Sequence, residues 1–435
     1  MRIALISFEY PPETPGGIAT YASHATRMLA ARGHEVTVFA GTVRSGRDEQ
    51  FQGVRVVRIP CAERRSFHEP AVARLADAHG RTPFDVAEVP DLYAEGAGLR
   101  DRVPSLPIVL RAHTPLFIPA EIDYSALSRL PRLLWGLRRL GGGLVHRQPV
   151  RALCREALAR ISFRHAYHPA GDPERDVAME ADLVVPASRR LALRLERDWK
   201  LPADCLRILP YPHIAAPDLL ALQPPGDVRV IGFHGGVRYF KGVHVLLAAF
   251  ERVVRKHPGL RLVLAGASGM SPVASCSWRS WRKDEMLTWK DTLDWLRPAI
   301  DRLGDRVAIR GFVPPESLAG HLREADICVF PSLFDNFPSA CLEAMSAARP
   351  IVATRSGGME EMLAGGEAGL LVGPGDVRGL AEALCRLIED PGLAGRLARE
   401  ARRRLLAEYD PAVIAPRHEA LYAEAIARRR SSVCR

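Results

Sequence analysis

Lysine is scarce. Of the 60 basic residues in this 435-residue chain, only Lys200, Lys241, Lys256, Lys283 and Lys290 are lysine. A lysine inside a motif therefore reads as a choice of a compact point charge over a planar fork. The eight cysteines run from Cys61 to Cys434 with no CxxC and no Cys/His pairing. That speaks against disulfides and against a zinc site, and for reduced thiols in a cytosolic setting. No uncharged apolar run approaches the roughly 18 residues of a membrane span. The opening Arg2–Phe8 has no cleavage site or basic flank, so no signal peptide is expected. No GxxxxGK[ST] run is present, which disfavours a P-loop kinase or ATPase. Basic stretches without interleaved aromatics rank nucleic acid last among partners.

What the chain does carry is length for two cores, with 47% hydrophobic residues, and a net charge of +10 that points to anionic partners such as nucleotide phosphates or acidic headgroups. Short apolar runs alternate with amphipathic stretches, the pattern of parallel α/β sheets. Strands are expected at Ile3–Phe8, Val36–Phe39, Val54–Ile59, Val86–Val89, Ile108–Arg111, Leu183–Pro186 and Leu206–Leu209, then at Val228–Phe233, Leu260–Ala265, Val307–Arg310, Ile327–Phe330, Pro350–Ala353 and Leu370–Val372. Ala215–Gly226 reads as a linker, giving domains at 1–214 and 227–409, and residues 410–435 form a last helix expected to return to the first domain. Two stretches break the rhythm. Residues 120–172 include a helix with leucines at 130, 133, 134, 137 and 140 on one face and arginines on the other; it suits an anionic membrane surface or an ordinary buried leucine stripe. Ser268–Asp294 carries Trp278, Trp281 and Trp289, with Trp295 just beyond, and is expected near the cleft of the second domain.

Four places could hold a phosphorylated ligand. Gly16 and Gly17 stand between the first strand and its helix, where backbone can approach an anion at a helix N-terminus, or simply turn. Arg238 and Lys241 follow the first strand of the second half, at the carboxyl edge where α/β sheets bind ligands; they suit a leaving diphosphate, or a solvated loop pair. Phe330–Met345 carries Asp335 on a loop and Glu343 inside an apolar helix. A carboxylate there needs a partner: ribose hydroxyls, or a structural ion pair. Asp335 alone also suits a helix cap, and backbone N–H groups from Phe337 to Ala340 could meet sugar hydroxyls or phosphate. Thr354–Glu361 makes another strand–glycine–helix corner facing the same crevice, and His113 follows the strand ending at Arg111.

The Pro-Pro…Gly-Gly-Ile loop, Arg-Gly-His-Glu-Val at 32–36, the Arg238/Lys241 pair, the block from Asp335 to Glu343-Ala344-Met345, and Pro350–Thr354 followed by Gly357-Gly358 occur in an order that resembles the retaining glycosyltransferases of family four (glycosyl transferases group 1). The resemblance covers nearly the whole chain. It implies the GT-B fold: α/β, with two Rossmann-like domains facing each other across a cleft. It also implies transfer of a sugar from a nucleotide diphosphate sugar to an acceptor hydroxyl with retention and without metal or other cofactor. The acceptor is then a glycan, a lipid-linked or a small molecule, in polysaccharide or other glycoconjugate synthesis, in the cytoplasm or peripherally at the membrane's inner face. By the same resemblance Arg238 and Lys241 bind the diphosphate, Glu343 the ribose, and Asp335 the sugar, with Asn336, Phe337, Pro338 and Ser339 around it. Gly16 and Gly17 approach from the other domain, and His113 is the cleft histidine. His113, Arg238, Lys241 and Asp335 are the expected catalytic set. Departures are Asp335 in place of the commoner glutamate, Tyr211-Pro212-His213 in place of Asn-Gly-Val-Asp, and the two irregular stretches. A nucleotide-sugar epimerase and a non-catalytic nucleotide-sugar-binding protein are the alternatives.

Overall fold

The computed structural model describes residues 1–13, 16–125, 167–274 and 287–433, together with 150, 153–154 and 158. Fifteen strands form three sheets among these residues. The first sheet has seven strands in the order β3-β4-β2-β1-β5-β6-β7: β1 Arg2–Ser7, β2 Glu35–Thr42, β3 Arg47–Phe51, β4 Val54–Pro60, β5 Val86–Pro90, β6 Ile108–Ala112 and β7 Leu183–Pro186. All its pairings are parallel except β3 with β4. A second sheet of six parallel strands runs β12-β9-β8-β13-β14-β15: β8 Val230–His234, β9 Arg261–Ala265, β12 Val307–Gly311, β13 Ile327–Phe330, β14 Ile351–Thr354 and β15 Leu370–Val372. The antiparallel pair β10 Met270–Ala274 and β11 Leu287–Asp291 stands apart.

Both sheets have the switched strand order of doubly wound folds, with strands buried on both faces and therefore read as unbroken apolar runs. Leu206–Leu209 is not a strand. Leu206 makes a single bridge to Val184, Arg207 and Leu209 N–H donate to the Val184 and Pro186 carbonyls, and Pro210 and Pro212 stop the pairing there. The edge strand β3, Arg-Asp-Glu-Gln-Phe, escapes an apolar search because charges blunt it.

The two sheets are joined by more than a linker. Tyr21 and Ala25, on the helix Gly17–Ala31, share one apolar cluster with Phe337, Cys341 and Met345 of the second domain. In the linking segment the carbonyls of Gln223 and Leu222 are gripped by Arg349 and Arg402 of the second domain. The closing helix, Pro411–Val433, lies against the first sheet: His418 Nε2 and Tyr422 Oη meet the buried Glu88 at 2.9 and 2.8 Å. Burial alone would raise that carboxyl, but the contacts with His418 hold it well below the usual range. The leucine-striped helix at 130–140 and Trp278 and Trp281 lie outside the described residues. No helix among the described residues is long and apolar enough to cross a membrane.

Candidate active site

Strands β8 and β13 are neighbours, so the segments leaving their carboxyl ends meet. The β8 loop returns through Gly242 at φ 73°, so close to the Pro331 carbonyl that a Cβ would overlap it. Leu333 N–H donates to the Phe240 carbonyl at 2.7 Å and staples the loop to the end of β13. This places Lys241 Nζ 2.5 Å from Asp335 Oδ2, which also accepts from Ser332 Oγ at 3.2 Å. Gly357, at φ 52°, packs against the Asp335 carbonyl with no room for a side chain, so the third glycine corner supports the loop from beneath.

Glu343, on the helix Ser339–Ser346, meets His234 Nε2 at 3.1 Å. Its sequence-level need for a partner is thus met in part by the last residue of β8, a residue sequence reasoning passed over. Both side chains stay partly open, at 15% and 17% exposure. The same helix starts after Pro338 with no side-chain cap, leaving first-turn N–H groups for a ligand. Arg238 stands on the opposite flank of the loop, backed by Gly269. There the first-domain helix Phe117–Ser125 crosses over, and burial raises Asp123 to about 6 against the pull of Arg238. The irregular stretch emerges at this point, through the Val237–Ser268 bridge.

On the first domain His113 ends β6, 7% exposed. Its N–H donates to Asp91 Oδ1 at 2.9 Å and its Nδ1 lies 2.6 Å from Tyr211 Oη. Burial, helped by the Arg111 charge, lowers its pKa to about 3, so the ring is neutral. Arg111 stacks over Tyr21 and Tyr211. Tyr211 belongs to the segment that departs from the family pattern, and here it fixes the cleft histidine.

Asn336 joins the halves. Its Nδ2 donates to the His113 carbonyl at 2.5 Å, and its Oδ1 accepts from Ser188 Oγ at 2.7 Å. At 1% exposure the side chain is committed to the domain contact, and a donor can meet only its backbone. Phe337 is likewise buried, edge-on to Tyr211 and Tyr409. Pro338 and Ser339 remain partly exposed at the helix start.

Gly16 and Gly17 are exposed at the start of their helix. A Cβ on Gly16 would strike Glu9, whereas Gly17 faces open space. Beneath them Arg64 bridges Glu9 and Glu95 at 2.5 and 2.7 Å. Burial raises Glu95 to about 7 against the pull of Arg64. It raises Asp91 to about 7 as well, and Glu174 to about 8, the latter with Asp91's charge adding to the effect. These acids gave no sequence signal, being scattered over separate segments of the chain. A groove lined by Arg47, Arg58 and Arg74 lies at the edge of the first sheet, away from Lys241 and His113. Its arginines face Glu13, Glu49 and Asp48, so it is no ready anion seat.

Two Rossmann-like sheets whose carboxyl edges meet, one supplying a neutral histidine and the other cations and carboxylates, define a glycosyltransferase of the GT-B type. Solved structures with this arrangement include sucrose-phosphate synthase from Thermosynechococcus elongatus, at TM-score 0.68 and 22% identity over 98% of this chain and 99% of that one. Anabaena HepE in complex with UDP-glucose aligns at TM-score 0.62 and 17% identity over 98% and 99%.

The glycosyltransferase family 4 model matches residues 15–160 and the glycosyl transferases group 1 model residues 228–390, and the chain belongs to this family. Its relatives include a glycogen synthase of Mycobacterium tuberculosis, 27% identical over 94% of this chain and 91% of that protein. An MMP alpha-(1->4)-mannosyltransferase of Mycolicibacterium hassiacum is 26% identical over 98% and 99%.

Proposed function

We propose that this glycosyltransferase takes a hexosyl group from a nucleoside diphosphate sugar and passes it, with retention and without a metal ion, to a hydroxyl of a glycan, lipid-linked or small-molecule acceptor. The observation that carries the reading is the meeting of Lys241, Asp335, Glu343 and His234 at the adjoining ends of β8 and β13, with His113 tied to the same loop through Asn336. Glu343 holds the ribose by its open oxygen. Lys241 and Arg238 neutralise the diphosphate as it leaves, a charge that grows only along the reaction, so their effect falls on the barrier. Two cations and a helix start replace the charge a divalent ion would bring. Asp335 receives sugar hydroxyls once the diphosphate draws Lys241 away from it.

A buried tyrosine keeps its proton, and burial pushes Tyr211 well up; with its O–H as donor to His113 Nδ1, the ring proton sits on Nε2, available to a sugar oxygen. A ring whose pKa is held to about 3 is a poor base, so the proton of the attacking hydroxyl goes to the departing phosphate on the same face of the sugar. Binding of UDP-glucose by HepE and of ADP and acarbose by an Arabidopsis starch synthase supports a nucleotide sugar as donor.

The test is a thermal-shift screen of UDP, GDP and ADP with a chelator present. It is followed by a screen of their sugars with extract acceptors, read by mass spectrometry, with the product anomer assigned by NMR. A rise in Tm with one nucleotide and a retained anomer are expected. Inversion, or a strict requirement for a divalent ion, would refute the mechanism.

A further inference from the structure

Away from the cleft, on the outer layer of the second domain, three side chains of different donor chemistry converge. Cys385 and Glu389 stand four residues apart on the helix Val377–Glu389, and so on one face. His257 ends the neighbouring helix Val243–Lys256, which packs along it. One ligand atom of each lies within 4.8 Å of the others, and His257 Nε2 is 3.2 Å from Glu389 Oε1. Cys385 is buried, His257 partly so, and Glu389 exposed, which gives a site with a floor and an entrance.

We propose that His257, Cys385 and Glu389 bind one zinc-class divalent ion that clamps these two helices together. Tetrahedral bonds of about 2.0–2.2 Å to nitrogen and oxygen put those atoms about 3.3–3.4 Å apart. The existing separation of these two atoms is already close to that. A sulfur bond of about 2.3 Å then sets Sγ about 3.5 Å from the other two atoms, inside the observed spread. Thiolate with imidazole selects zinc-like ions over magnesium or calcium. The carbonyl ends of both helices converge here, and their dipoles favour a cation. Lys256, near enough to act on Cys385, opposes it and keeps the affinity moderate. Three protein ligands leave the fourth position to water, so the ion exchanges. On binding, the Cys385 thiol releases its proton to solvent as the sulfur–metal bond forms, with no change of oxidation state.

The clamp has a place in the architecture. The helix Val377–Glu389 leads through Pro391–Glu408 into the closing helix Pro411–Val433, so the ion fastens the root of the segment that crosses back to the first sheet.

The experiment uses the full chain, stripped with chelator and titrated with Zn²⁺ and separately with Mg²⁺ by calorimetry. One Zn²⁺ per chain, a rise of a few degrees in Tm, and no binding of Mg²⁺ are expected. H257A and C385S should each weaken binding by about tenfold or more, and Co²⁺ should give a thiolate charge-transfer band that C385S lacks. If C385S does not fold, H257A and E389Q, at partly exposed and exposed positions, carry the test. Absence of Zn²⁺ binding, or binding undiminished in H257A, would overturn the proposal.

Discussion

Asp335→Asn separates two consequences of one contact. In this structure Lys241 is held by Asp335 at 2.5 Å, with the side chains 23% and 12% exposed. A nucleoside diphosphate must compete with that carboxylate for the ammonium. Exposed ion pairs contribute about 0.2–1 kcal/mol, and this pair is better shielded, so about 1 kcal/mol is a fair value for what the ligand displaces. Asn keeps the shape and the Ser332 contact but removes the charge. The variant should therefore bind a nucleoside diphosphate, with no sugar attached, about fivefold more tightly. Turnover with the complete donor should fall about 10²–10³-fold if the carboxylate's grip on the sugar strengthens in the transition state. Calorimetry with the nucleotide and initial rates with the nucleotide sugar measure the two effects independently. Weaker nucleotide binding by the variant, or unchanged turnover, would refute the reasoning.

Lys241→Ala should lower kcat by about 10²–10³ with a smaller change in donor affinity; equal losses in single-turnover and binding measurements would make the lysine only a binding group. Glu343→Gln, which keeps the contact with His234 but loses the charge, should weaken donor binding about tenfold, seen as a raised Kd with kcat little altered. Asn336→Ala removes the buried link between His113 and Ser188 and should cost about 2–4 kcal/mol in urea unfolding. Glu174 bears on pH dependence. Its folded pKa, about 8, lies above the unfolded value, so its contribution to stability is full below about pH 4.5 and is lost as pH rises to about 8. Glu174→Gln should accordingly flatten the fall in stability between pH 5 and 9, and an unchanged slope by thermal melts would show that the carboxyl is not held protonated.

The parts of the site that lie within one strand–loop–helix unit were open to sequence reasoning. Lys241 and Asp335 sit on the loops that leave two strand ends, Glu343 on the helix that follows the second loop, and a glycine or proline marks each turn. Contacts between units were not. Tyr211 reaches His113 across 98 residues and Asn336 reaches the His113 carbonyl across 223, and no local pattern announces either. Asn336 was expected to touch the donor, yet its amide is spent on the first domain. The buried acids Asp91, Glu95 and Glu174 look like ordinary polar positions until three elements fold over them. The cysteine pattern spoke against a zinc site on local spacing alone, and such spacing does not register His257 and Cys385, which are 128 residues apart in the chain.

Glu88 ties the beginning of the fold to its end. It lies in the middle of the first sheet, yet His418, one of its partners, comes 330 residues later. Tyr21 and Arg111 of the first domain already act on this acid, and the closing helix completes its set of partners with His418 and Tyr422. The first unit can collapse early but reaches its final electrostatic state only when the closing helix docks. The closing helix thus fastens the first sheet like a clasp, the last piece of the chain sealing the first.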